Sequence, residues 1–227
     1  MPMPIETNYR GIYSQSLINS STNLQRFNAE VNVHLDAIGS GSTGNQLLDD
    51  LVSLSSQRRH KITIHEMEVS KSGPSAEPVL SRHQLERHPD LNNYQDIRET
   101  AGRRYARKTS QGQNEGSSVV VTWTAHQTSM GLDEDGDPTG PTSSHRDKVS
   151  LLAHELVHAK HMMGGTWMGS YDDSRDPETD SGKEELRAVG IGEYKYSRTR
   201  QPSENSVRAE HGLPKRASYH YSGYRSD

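Results

Sequence analysis

The chain has 227 residues, a formal charge of −4 and no cysteine. That length suits one domain, the missing thiols exclude disulfides, thiolate metal sites and cysteine nucleophiles, and a pI near 6.3 argues against nucleic acid or an anionic membrane as partner. With 30% hydrophobic residues and a mean hydropathy of −0.94, part of the chain is expected to lie outside any packed core.

Residues 1–22 are rich in Ser, Asn, Thr and Pro without apolar periodicity, which predicts a disordered leader with the makings of a secretion signal. Residues 23–227 then form the folded domain. The opening lacks the apolar run of a cleaved signal peptide, and no stretch approaches the roughly 18 apolar residues of a membrane span, so a soluble product is expected. Leu24, Phe27, Val31, Leu35 and Ile38 recur at helical spacing until GSGSTG (39–44) breaks the pattern. Leu47, Leu48, Leu51 and Leu54 predict a second, short helix. KITIHEMEV (61–69) reads as a strand with one irregularity, carried by Ile62, Ile64, Met67 and Val69, and KSGPSAEP (71–78) as the loop that closes it. From Arg82 to Lys108 basic residues crowd what reads as a solvated helix face rather than a site for an acidic partner. SVVVTWTA (118–125) is β-branched and bounded by polar stretches; it is the best strand and is expected to line the active site. In GLDEDGDPTGP (131–141) Asp133, Asp135 and Asp137 alternate as calcium ligands can, but the downstream glutamate of an EF-hand is missing, which favours an acidic turn.

HELVH (154–158) concentrates the chemistry. On a helix, residues four apart stand one above the other, so His154 and His158 can reach one ion with Glu155 beside them as a base. Ser144 and Asp147 suit the start of that helix and Gly164-Gly165 its end. On the helical wheel Val149, Leu152, Ala153, Leu156, Val157 and Met163 share one broad face, and the two histidines fall on the other, toward a cleft. Without cysteine any metal must be held by His, Asp or Glu, and catalytic zinc usually takes three protein ligands, so one more donor must come from downstream. His161 lies two turns from His154, about 10 Å along the axis, and is read as a surface residue. A better third ligand lies in SGKEELRAVG (181–190), where Ser181 and Glu184 read as a capping box. Glu185 falls on the side of Leu186, Ala188 and Val189, where a carboxylate needs a partner; Glu184 and Arg187 fall toward the polar side. Asp172, Asp173, Asp176 and Asp180 are rival ligands. Tyr219, Tyr221, Arg208 and Arg216 are available as oxyanion donors, while Glu204 and Arg208, four apart, read as a helix pair.

HELVHAKHMMGG followed by EELRAVG resembles the HELxHA and EELR segments of clostridial neurotoxin-type zinc endopeptidases, a likeness that implies Glu185 as third ligand. The cysteine-free chain, its polar leader and the ending SENSVRAEHGLPKRASYHY (203–221) resemble more closely the NleD-type peptidases, effectors injected into animal or plant cells through a type III secretion needle. The resemblance is good from about Leu151 to Tyr221 and extends to the N-terminal half only in size and rough pattern. It implies an α+β, zincin-like fold with a small twisted sheet on the HExxH helix, and a monomeric zinc endopeptidase acting in the host cytoplasm. Glu155 would be its base, and Tyr219, or an arginine such as Arg208, its oxyanion donor. The implied substrate is a host protein bound along an exposed strand edge, a MAP kinase cut in its activation loop. Two other readings stay open: a non-catalytic effector that keeps zinc for stability and binds a host protein, and a calcium-responsive module built on 133–137. Metal analysis after chelation separates the three.

Overall fold

Alternation of period two in Ile62 and Ile64, and in Val119, Val121 and Trp123, produces the two central strands of a five-stranded sheet. The computed structural model describes residues 3–68, 73–93, 95–127, 129–142 and 144–219. Strands β1 (Ile5–Glu6), β2 (Ile12–Gln15), β3 (Ile62–Glu66), β4 (Ser75–Val79) and β5 (Ser118–Trp123) lie in the order β1-β2-β3-β5-β4. β2, β3 and β5 are mutually parallel, whereas β1 and β4 run antiparallel to their neighbours. Ile12, Ile62 and Val119 form one row across the sheet and Ser14, Ile64 and Val121 the next. All six are buried, and Ser14, the polar member, receives a hydrogen bond from Asn28 Nδ2 at 2.8 Å.

Among the described residues the fold is α+β, with helices α1 (Ser21–Gly39), α2 (Ser42–Arg58), α3 (Arg82–Arg87), α4 (Gln95–Ala106), α5 (His145–Met163), α6 (Asp180–Val189), α7 (Tyr196–Thr199) and α8 (Glu204–Glu210), and a hairpin of β6 (Ser129–Leu132) and β7 (Pro138–Thr142). The apolar stripe of α1 is buried as its spacing predicts, from Leu24 to Ile38. None of these helices is long and apolar enough to cross a membrane.

Packing divides the chain into two units whose boundaries fall inside α1, α2 and α5: Met1–Val33, Leu48–Thr124 and His158–Trp167 form one, and His34–Leu47, Ala125–Val157 and Met168–Asp227 the other. The first holds the five-stranded sheet, with the rings of Phe27 and Trp123 6.5 Å apart in its core. Within it the last turn of α5 is tied to the entry of β5, since Ser117 N–H donates to the Met162 carbonyl at 3.1 Å. Gly116 makes this approach possible: its φ is +87°, and a Cβ there would stand 2.0 Å from the Met163 carbonyl oxygen. The second unit holds the hairpin, most of α5, and α6 to α8. In it Glu210 caps α2, accepting from the backbone of Thr43 and Gly44 at 2.6 and 3.1 Å.

Three expectations are corrected. Residues 1–22 carry β1 and β2 instead of being unordered; composition hid this because β2 contributes one large apolar side chain to the core, Ile12, while backbone pairing with β3 does the rest. Residues 75–78, read as part of a loop, lie in β4, with Pro78 tolerated because β4 is an edge strand. The second helix spans 17 residues and is not short. Val69 lies outside the described residues. The acidic turn is as expected: Asp133 Oδ1 accepts from the backbone N–H of Asp135 and Asp137 at 3.0 and 2.9 Å, closing the hairpin.

Candidate metal centre

α5 carries HELVH, and its surroundings differ from those drawn on a wheel. His154, Glu155, His158 and His161 are 5, 6, 6 and 3% exposed, so the polar side of the helix is as buried as its apolar side. A wheel sees one helix; it cannot see carboxylates from α6 and α8 meeting His154. The expectation of a surface His161 is likewise overturned.

His154 is held from both sides. Its Nε2 lies 3.2 Å from Glu185 Oε2 and its Nδ1 3.0 Å from Glu204 Oε2. A neutral imidazole has one N–H. With that N–H directed at Glu204, Nε2 presents a lone pair to a carboxylate oxygen, an arrangement satisfied by a cation between them or by a second proton on the ring. His158 stands one turn further along the same unbroken helix. His154, His158 and Glu185 each offer a ligand atom, all within 4.8 Å of one another. A second set, His158, His161 and Glu184, meets the same criterion. Of the rival aspartates, none joins either set among the described residues; Asp172 instead accepts from the backbone of Asp180 and Ser181, both at 3.1 Å, at the start of α6.

α6 also starts differently from its predicted form. Thr179 is its N-cap, accepting from Gly182 N–H at 3.0 Å, while the Ser181 hydroxyl turns away to accept from Ser170 N–H at 2.9 Å. Glu184 therefore does not complete a capping box. It is buried, takes the Met168 N–H at 3.2 Å and faces Arg187 at 3.6 Å, whereas the Glu185 side chain keeps 17% of its surface exposed. The assignment of Glu184 to the polar side is thus reversed.

Glu204 forms the helix pair with Arg208 expected from sequence, but its place against His154 is not visible there. It begins α8, behind a capping box of Ser203 and Ser206, and is buried against two guanidinium groups. Arg216 Nη1 is 3.0 Å from Oε2 and Arg208 Nη1 3.4 Å from Oε1. Burial opposes its charge, but Arg216, His154 and Arg208 outweigh burial and hold the carboxyl down to about 2. Arg208, the arginine expected as an alternative oxyanion donor, is engaged elsewhere. It is buried, and its nitrogens are committed to Pro214 O, Ser150 Oγ, Glu204 and Asp147, at 2.6, 2.9, 3.4 and 3.2 Å. Tyr219 does reach the site. Its ring stacks on His154 at 6.1 Å between centroids, and Arg216 lies 5.3 Å over the same ring and donates to the Tyr219 carbonyl. Burial, then the charges of Glu185 and Glu155, push its hydroxyl well above the ordinary tyrosine range, so it keeps its proton. Tyr221 lies outside the described residues.

Residues 15–219 match the Peptidase_M91 family model, described as an effector protein. The chain belongs to this family. No curated protein matches it. The M91 match begins in β2, so it takes in the N-terminal half that resembled the NleD-type peptidases only in size and rough pattern, and it ends on Tyr219. Every residue of the His154 cluster lies within it. Membership makes the chain a peptidase effector, whose substrate class is host protein.

Proposed function

We propose that this M91 effector is a zinc-dependent endopeptidase in which His154, His158 and Glu185 hold the ion. The observation that carries the reading is His154, a buried imidazole between two carboxylates with Nε2 turned toward Glu185. Tetrahedral zinc with nitrogen and oxygen ligands separates its ligand atoms by about 3.3 Å, close to the 3.2 Å found between His154 Nε2 and Glu185 Oε2. A zinc ion bound there would polarise the scissile carbonyl and lower the pKa of water. Glu155, buried beside the two histidines, accepts the proton of the attacking water and returns it to the leaving amine. Tyr219, protonated and stacked on His154, donates to the oxyanion.

The second set, His158, His161 and Glu184, supports an alternative ligation through the preceding glutamate. The His154 set is preferred because Glu184 is already engaged by Met168 N–H and Arg187.

Delivery through a type III needle into the host cytoplasm, and cleavage of a host MAP kinase in its activation loop, follow from the NleD resemblance and belong to the same proposal. A mobile loop suits a cleft that binds extended chain without unfolding its target. The test incubates wild type and Glu155→Ala with host-cell extract and with purified MAP kinases, and maps new termini by mass spectrometry. Cleavage by wild type and a loss of roughly 10²–10⁴-fold or more in the variant, with zinc retained, are expected. Intact kinases alongside Glu155-dependent cuts in another protein would keep the peptidase and discard the kinase; equal cleavage by the variant would discard the mechanism.

A further inference from the structure

The C-terminal segment places a buried carboxylate, with two arginines against it, on the far ring nitrogen of His154. A carboxylate removed from water is costly unless it is both paired and hydrogen-bonded. Glu204 has that support. Oε1 faces Arg208, while Oε2 is shared by Arg216 at 3.0 Å and His154 Nδ1 at 3.0 Å. The arginines are themselves anchored. Arg208 is fixed by Asp147 and Ser150, two turns and one turn before His154 on α5, and by the Pro214 carbonyl. The backbone beyond α8 is clamped by Asn205, whose side chain both accepts from Arg216 N–H at 2.7 Å and donates to the Arg216 carbonyl at 2.9 Å. Gly190 holds the neighbouring element close. It ends α6 with φ +85°, and a Cβ there would stand 2.2 Å from the Ser203 hydroxyl that caps α8, so the helices bearing Glu185 and Glu204 meet at this glycine.

We infer that Glu204 is a positioning residue for His154: its carboxylate, fixed by Arg208 and Arg216, accepts a hydrogen bond from Nδ1–H and so commits Nε2 to the metal, making residues 203–216 part of the metal site's frame. This rests on the zinc reading above. A carboxylate on the second nitrogen of a ligating imidazole fixes its tautomer and ring orientation and raises its basicity. Glu204 does this without touching substrate. A purely structural ion pair would have no reason to put one carboxylate oxygen on the imidazole.

The experiment measures zinc affinity by chelator competition in wild type, Glu204→Gln and Arg216→Gln, with folding followed by circular dichroism. Glu204→Gln is expected to weaken zinc binding roughly 10–100-fold, and Arg216→Gln to weaken it less, because Arg208 remains on Glu204. In zinc-loaded wild type the His154 Nδ1 proton is expected as a slowly exchanging, low-field proton resonance, moving upfield in Glu204→Gln. If Glu204→Gln fails to fold, the wild-type resonance decides the question: its presence supports the inference, and its absence, or zinc seated on Nδ1, overturns it. Wild-type zinc affinity in a folded Glu204→Gln protein overturns the positioning role and leaves the zinc reading standing. Failure of wild type to bind zinc at one equivalent overturns both.

Discussion

Glu184 and Glu185 are neighbours on α6 and belong to different candidate ligand sets, so the choice between them decides the metal chemistry. Glu185→Ala is expected to lower zinc affinity far more than Glu184→Ala, because it removes a ligand atom and Glu184→Ala removes the acceptor of Met168 N–H and Arg187. The reverse order by chelator competition would move the site to His158, His161 and Glu184. Tyr219 offers a second test. Its hydroxyl stays protonated, and as a donor that acts when negative charge develops it contributes to turnover more than to binding. Tyr219→Phe is expected to reduce kcat by roughly 10²–10³-fold with KM little changed. A fall in zinc affinity instead would mean that the hydroxyl serves Glu185, to which it is hydrogen-bonded.

Elements whose signals are local were legible, and those made by their neighbours were not. The period of α1, the alternation of β5 and the HELVH spacing each follow from one stretch of chain. The burial of His161, the engagement of Glu184 and the carboxylate of Glu204 on His154 depend on elements far away in sequence, and a wheel drawn for α5 or α6 alone cannot contain them. The capping of α2 is of this second kind. Its N-terminal N–H groups are taken by Glu210, across a separation of more than a hundred residues. Burial would raise the Glu210 carboxyl, but the N–H groups of Thr43 and Gly44 and the hydroxyl of Ser42 outweigh it and lower its pKa. A folded-state pKa below the unfolded one contributes stability above the ordinary glutamate range, and that stability is lost as pH falls through the lowered value. Because Glu210 is exposed, screening keeps the effect to about 0.5 kcal/mol. Glu210→Gln should therefore unfold at lower urea than wild type at neutral pH, with the two midpoints converging in acid. A constant difference at all pH values would mean that the carboxylate charge plays no part in the cap.

At the scale of the whole molecule, the N-terminal segment has two roles to reconcile, a proposed export signal and a strand of the main sheet. A disordered leader could be deleted without harm to the purified protein. β2 cannot be removed so freely: it pairs with β3 from Ile12 to Gln15, Ile12 is 1% exposed, and just beyond it the Ser16 hydroxyl and Leu17 N–H reach Glu66 at 2.5 and 3.2 Å. Loss of a buried isoleucine side chain alone costs about 2–5 kcal/mol, and a bared parallel edge on β3 invites association. Deletion of residues 1–16 is therefore expected to give destabilised or aggregated protein by thermal unfolding and size-exclusion chromatography. Deletion of residues 1–4 should be tolerated, since Met3 is 84% exposed and the chain up to Pro4 precedes the first strand. A folded, active protein lacking 1–16 would show that β2 is dispensable and would restore the leader reading. Export is then best tested by substitution at exposed positions such as Met3, Leu17 and Ile18, which leaves the sheet intact; loss of translocation with unchanged stability would assign the signal to this segment, and unchanged translocation would remove it.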